Sequence, residues 1–186
     1  MIVPNCIVTD RLILRHFVEG DENDILSIMS DVETARKAGF KPMKDITEAE
    51  SFMRDWRRDG FAITERESDT VIGVMQTPRY WHGTAYLGYW LDSDHRGMGY
   101  MTEAVEAIIS FLFDRPWIDD IYIYVYCGNE ASRNVALKCG FHPDFSKYQE
   151  TVYSHFGAVE SEECFILTRE DYEWEQSGKS YYSTAA

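Results

Sequence analysis

Tyr86-Leu87-Gly88-Tyr89-Trp90-Leu91, then Arg96-Gly97-Met98-Gly99, then Val105, Ile108, Ile109 and Leu112 at helical spacing: this passage decides the fold. The first six residues are mostly aromatic and aliphatic, as a strand is. The last four recur at i, i+3, i+4 and i+7 and share one face of a helix, which Pro116 stops. Two glycines lie between strand and helix. A helix start leaves its first N–H groups without partners and carries roughly half a positive charge. Paired glycines let the main chain fold closely enough to aim those donors at one anion, so the turn reads either as a phosphate or diphosphate cradle or as a plain turn. It is not a P-loop, because Thr102 and Glu103 stand where a Gly-Lys-Ser/Thr ending is needed. The three-glycine dinucleotide fingerprint is also incomplete.

Upstream, Leu12-Ile13-Leu14-Arg15-His16-Phe17 reads as a first strand, and Ile25, Ile28 and Met29 as one face of a helix. Thr47 and Glu50 have capping-box spacing, followed by an apolar face of Ala49, Phe52, Met53 and Trp56, with Gly60 as the closing residue. Phe61–Glu65 and Val71–Gln76 flank the turn Ser68-Asp69 and form a hairpin; Thr84–Leu91 is the next strand. Downstream, Ile121–Tyr126 alternates aliphatic and aromatic residues, Asn129–Cys139 is a short helix closed by Gly140, and Glu150–Tyr153 and Cys164–Leu167 are strands. Strands and helices mixed in this order predict an α+β (mixed α/β) fold, with antiparallel hairpins around one strand–helix–strand crossover. Residues 1–176 form a single domain in this reading, and 177–186, small and polar, a flexible tail.

The 186 residues carry 45% hydrophobic and 27% charged side chains, the balance of a globular chain. A formal net charge of −14 argues against a general nucleic-acid binder, which needs a basic face. It suits a cationic partner such as an amine, or simply a solvated acidic surface. No apolar run approaches the roughly 20 residues that span a bilayer, and nothing near Met1 reads as a secretory signal, so the expected place is the cytoplasm. Cys6, Cys127, Cys139 and Cys164 have no metal-type spacing and read as reduced thiols, with no metal expected.

Three blocks in order, Leu87–Leu91 with Arg96–Ala104, then Asn129-Glu130-Ala131-Ser132, then Gly140-Phe141, resemble the GNAT superfamily of acyl-CoA-dependent N-acetyltransferases. The opening Thr9-Asp10-Arg11-Leu12-Ile13-Leu14-Arg15 is similar to the RimJ/RimL-type branch, whose members acetylate ribosomal-protein N-termini. The resemblance spans residues 8–168. It implies a GNAT fold: a mostly antiparallel twisted sheet of six to seven strands, splayed at a cofactor cleft and flanked by about four helices. It also implies acetyl-CoA as co-substrate and an amine acceptor such as a protein N-terminus; charge and hydropathy leave no nucleic acid or membrane partner expected, and the chain is read as a monomer or homodimer. By that resemblance the diphosphate falls to Arg96, Gly97, Met98, Gly99, Tyr100, Met101 and Thr102. Trp90 and Leu91 match one wall of the pantetheine channel, and Asn129 and Ser132 lie on the other side. Arg96 is either a phosphate partner or a solvated cation, and Asn129 either a cofactor contact or a helix cap. Asp94 departs from the family's usual Gln or Arg, and its carboxylate must face outward.

Direct attack by the amine in a ternary complex needs a proton for the departing thiolate and a base for the nitrogen. The tyrosine that many GNAT enzymes use as that acid is replaced here by Ala136. The RimL-like pattern offers Ser132 instead, which can equally belong to the start of its helix. For the base, His155 and Glu163 are the candidates, with Glu162 beside them; a histidine's reference pKa near 6.5 suits the role. Two other readings remain: an acyl-CoA sensor without turnover, and an acetyltransferase for a small amine or an antibiotic.

Overall fold

The computed structural model describes residues 6–76, 82–147, 149–153 and 159–178. Its first sheet joins β1 (Cys6–Val8), β2 (Leu12–Arg15), β3 (Gly60–Glu65), β4 (Val71–Gln76) and β6 (Gly88–Leu91), every neighbour antiparallel. Its second holds β5 (Thr84–Tyr86), β7 (Asp120–Tyr126), β10 (Val159–Thr168) and β8 (His142–Pro143) in that order, with β9 (Gln149–Tyr153) also on β10. β5 and β7 are parallel, the crossover that the sequence demands. The fold class stands as expected. The strands number ten and the α-helices six among the described residues, because short pieces with no periodicity of their own join the sheets.

One segment belongs to both sheets. Tyr86 pairs with Tyr122 of β7, Leu87 N donates to Tyr122 O at 2.8 Å, and from Gly88 onward the chain pairs with β4 instead. The single strand read over Thr84–Leu91 is therefore two, and β6 parts from β7 beyond Leu87.

β3 and β4 are buried on both faces, which explains their near-continuous apolar sequence. On one side Phe61, Ile63, Ile72 and Met75 meet α4 (Tyr100–Phe113), whose Val105, Ile108 and Leu112 are fully buried. On the other, Ala62, Val71 and Val74 meet Ile25, Ile28 and Met29 of α1 (Glu22–Ser30) and Ala49 of α3 (Ile46–Asp55).

The start of α3 departs from expectation. Asp45, not Thr47, is the N-cap: its side chain accepts from Glu48 N at 3.1 Å, while Glu48 Oε2 accepts from Lys44 N at 2.8 Å. Asp caps as well as Thr, and the glutamate three residues on reaches past the cap to the N–H of Lys44 instead of the cap's own. Gly60 does not close the helix either; Trp56 does, and Gly60 opens β3 where a Cβ would meet Phe17 and Trp56.

Two helices went unread. α2 (Val32–Ala38) is capped by Asp31, which accepts from Glu33 N and Thr34 N, and ends at Gly39 with φ 71°. α6 (Arg169–Gln176) starts with a capping box between Thr168 and Asp171. Its first residue is also a staple. Arg169 donates to the carbonyls of Phe113 (2.9 Å), the last residue of α4, and of Arg115 (2.6 Å) and Ile118 (2.7 Å) in the turn that follows it.

Candidate active site

The cleft follows from that parting of β6 and β7. A cavity of about 350 Å³ runs along it, lined by the backbone turn of Gly97, Gly99, Tyr100, Met101 and Thr102, by Trp90 and Leu91, and by α5 (Glu130–Lys138) on the far side. A second cavity of about 160 Å³ continues between Leu87–Trp90 and Ile123–Tyr126. The two share Lys37, Ala38, Tyr89, Trp90, Asn129 and Ser132.

At the loop, Asp92 turns the chain by accepting from Asp94 N at 3.2 Å and contacting His95 Nδ1 at 2.7 Å. Asp94 is exposed, facing outward as required. Gly97 and Gly99 hold φ of 76° and 81°, a left-handed backbone that favours glycine. Gly99 is the N-cap of α4, and Glu103 N donates to Gly99 O at 3.0 Å. Among the described residues, no hydrogen bond claims the backbone N–H groups from Gly97 to Thr102. Donors gathered at the positive end of a long helix fit a diphosphate.

What holds this loop escaped the sequence reading. Arg11, between β1 and β2, reaches over to donate Nη1 to Met98 O at 2.9 Å and Nε to Glu103 Oε2 at 2.7 Å, with its guanidinium 4.5 Å from the centre of the Tyr100 ring. Thr9 Oγ1 adds a 2.6 Å bond to Glu103. Burial works against the Glu103 charge, but these bonds and Arg11 outweigh it and hold the carboxyl below its ordinary range. The signal lay in Thr9-Asp10-Arg11, used only for its resemblance.

Arg96 is neither a free cation nor aimed only at the anion. Its Nη2 donates to Thr34 Oγ1 and to Leu91 O (3.3 Å) and lies 3.9 Å from Asp31, so it ties the loop to α2. Asn129 makes the matching tie. Its Oδ1 accepts from Ser132 N at 3.3 Å, a helix cap, and its Nδ2 donates to Lys37 O at 2.9 Å. Gly39, at the end of α2, packs so closely on Tyr126 that a Cβ there would fall 2.1 Å from the ring. α2 thus roofs the cleft, fastened to both walls.

Met98 is an exposed side chain and lines neither cavity. Trp90 offers the cleft little but main chain, since its ring stacks edge-on with Phe40 and Trp56, both at 5.7 Å. Ser132 sits where the cavities meet, its Oγ donating to Tyr89 Oη at 3.1 Å.

Glu163 is not brought to the cleft. It pairs with Val125 of β7, on the face that packs the helices, and its Oε2 lies 3.3 Å from Arg133 Nε of α5. Its neighbour Glu162 pairs with Tyr126, points to the opposite face as strand alternation requires, and lines the inner cavity. Burial pushes the Glu162 carboxyl up, against a hydrogen bond from Tyr126. His155 lies outside the described residues. Cys139, buried behind the loop with its thiol pushed up to about 12 by burial, stays protonated. No group of three or more His, Cys, Asp or Glu that could hold a metal ion occurs among the described residues. Nor is any described helix long and apolar enough to cross a membrane.

A strand pair that parts beside a glycine turn full of open N–H groups defines an acyl-CoA-binding transferase. Residues 11–142 match the family model "Acetyltransferase (GNAT) domain", and the chain belongs to that family. It is 28% identical over 145 residues to the uncharacterized N-acetyltransferase YoaA of Bacillus subtilis, covering 73% of this chain and 82% of that one. A putative ribosomal-protein-serine acetyltransferase from Vibrio cholerae superposes with TM-score 0.75 at 25% identity, over 88% of this chain and 97% of that one. Spermidine N-acetyltransferase from Vibrio cholerae, solved with CoA and spermine, shares the fold with TM-score 0.75 at 17% identity, over 89% and 99%. The chain is an acetyl-CoA-dependent N-acetyltransferase, in agreement with the RimJ/RimL-type resemblance.

Proposed function

We propose that the acceptor is the α-amine of a protein N-terminus, acetylated in the cytoplasm by direct attack within a ternary complex. The observation that carries the site assignment is the position of Ser132, whose hydroxyl stands where the loop cavity and the inner cavity meet. With the diphosphate on Gly97–Thr102, the pantetheine arm follows the β6 wall and its thioester reaches that junction. The acceptor then approaches through the inner cavity, where Glu162 is the carboxylate that meets an amine.

The balance of the reaction sets the roles. A C–N bond forms, the C–S bond breaks, the nitrogen gives up one proton and the sulfur gains one. Ser132 passes its hydroxyl proton to the sulfur and is restored from solvent; Glu162, whose carboxyl already holds a proton more readily than usual, takes the proton from nitrogen. No nucleophilic residue is required. The likeness to a ribosomal-protein-serine acetyltransferase favours an N-terminal serine. A small polyamine is the second reading, favoured by the likeness to the spermidine enzyme and by the net charge of −14.

The test is thiol release from acetyl-CoA with a serine-initiated peptide, the same peptide blocked at its N-terminus, and spermine. Acetylation of the free peptide alone is expected, with kcat of Ser132→Ala down by about 10²-fold, the scale of a lost proton donor. Turnover of spermine but not of the peptide would overturn the acceptor, and an unimpaired Ser132→Ala the proton route.

A further inference from the structure

The phenol of Tyr89 has no part in the chemistry above, yet it is the nearest polar group to the serine that does. Tyr89 is held in β6 by its pairing with Met75, and its Oη lies 3.1 Å from Ser132 Oγ and 3.2 Å from the carbonyl oxygen of the same residue. Ser132 has its backbone fixed by the Asn129 cap, but a serine hydroxyl has three staggered positions and a freely turning proton. The hydrogen bond to Tyr89 is the contact the structure shows for that hydroxyl. We propose that Tyr89 is a positioning residue for Ser132, choosing the rotamer and the direction in which the serine presents its proton. The inference rests on Ser132 being the donor to the departing sulfur.

The geometry gives the pair two settings. In the one shown, Ser132 Oγ–H donates to Tyr89 Oη while the phenol donates to the Ser132 carbonyl. Turning the phenol O–H from the carbonyl to Ser132 Oγ keeps a hydrogen bond within ordinary range and leaves the serine proton free to face the sulfur. Only hydrogens rotate; the heavy atoms stay. Burial of the phenol end raises its pKa above the ordinary tyrosine value, a tendency that the bond to Ser132 only moderates, so the phenol keeps its proton at neutral pH and can donate to Ser132 Oγ. In this setting Tyr89 orients the serine, and Ser132 is the group that faces the sulfur. The bond also crosses the cleft, joining β6 to the first turn of α5, so the serine keeps its place relative to both walls.

A double-mutant cycle tests this with the serine-initiated peptide and with spermine as acceptors. Tyr89→Phe keeps the ring and removes only the hydroxyl; kcat should fall about tenfold, the scale of one hydrogen bond, while KM for acetyl-CoA stays within about twofold. Added to Ser132→Ala, the same change should cost nothing further, because there is no longer a hydroxyl to orient. Independent, multiplying losses would overturn the proposal, as would a Tyr89→Phe enzyme at full rate beside a crippled Ser132→Ala. A Ser132→Ala enzyme at full rate strikes instead at the proton-donor reading beneath it. Should Tyr89→Phe fold poorly, 3-fluorotyrosine placed at 89 leaves the shape almost intact and weakens the phenol as an acceptor. Because the same change strengthens it as a donor to Ser132 Oγ, it should favour the setting that frees the serine proton and raise kcat with an unchanged melting temperature, and an unchanged or lowered kcat would refute the role.

Discussion

Replacing Gly39 with alanine should damage stability and acceptor chemistry together, and its size follows from two observations. Gly39 ends α2 with φ 71°, where a Cβ costs about 1–2 kcal/mol. The added carbon would also fall 2.1 Å from Tyr126 Cε2, whereas ordinary contact begins at 3.4 Å, so the end of the ring must retreat by about 1.3 Å. Overpacking of that kind costs roughly 1–3 kcal/mol. The sum, about 2–5 kcal/mol, lowers the melting temperature of a chain this size by about 4–20 °C. Gly97→Ala separates the two contributions: φ is 76° there, but nothing lies within 4 Å of the new Cβ, so only the conformational cost remains. Thermal unfolding by circular dichroism should therefore place Gly39→Ala several degrees below Gly97→Ala. Tyr126 also lines the inner cavity and bonds Glu162, so Gly39→Ala should lower kcat/KM for the acceptor about tenfold or more at constant affinity for CoA, measured by calorimetry. Equal melting temperatures for the two variants would refute the reasoning.

Arg11→Ala should loosen the loop without unfolding the protein. The pair with Glu103 is half exposed and contributes less than about 1 kcal/mol, but CoA should bind about 3–10-fold more weakly because the turn samples other shapes. Glu103 is held below its ordinary pKa of 4.5, so its contribution is present above that pH and is lost as pH falls through the folded value; the gap in melting temperature between wild type and Arg11→Ala should close as the pH is lowered through that value. Glu162 has the opposite sign. Its folded pKa is raised, so the charged carboxylate works against folding as pH rises, and Glu162→Gln should raise the melting temperature at pH 8, give no gain at pH 4, and slow acetylation by about tenfold or more.

The strong periodic signals were legible. The face of Val105, Ile108 and Leu112, the alternation of Ile121–Tyr126 and the glycine turn before α4 lie where the sequence puts them. The split at Leu87 was not, because it is decided by β7 and β4, both distant in the chain, competing for one strand. The choice between Glu162 and Glu163 depends on which face each presents, and a one-residue uncertainty in register exchanges the two faces. α2 is too short for a period, although Asp31 and Gly39 bracket it with a cap at each end. α6 carries Thr168 and Asp171 as an open start signal, but no fully buried residue marks an inner face. Ser132 and Asn129 are singled out by the family resemblance alone; Tyr89 draws attention only once its hydroxyl is seen beside the serine.

The Arg169 staple bears on the other end of the helix it touches. α4 is a polarised rod: its carbonyl pole is met by a guanidinium belonging to the chain itself, while its amide pole opens onto the cleft. Satisfying one pole internally leaves the other as the place where outside charge is still welcome. The last helix among the described residues thus steadies the rod whose other end faces the cleft.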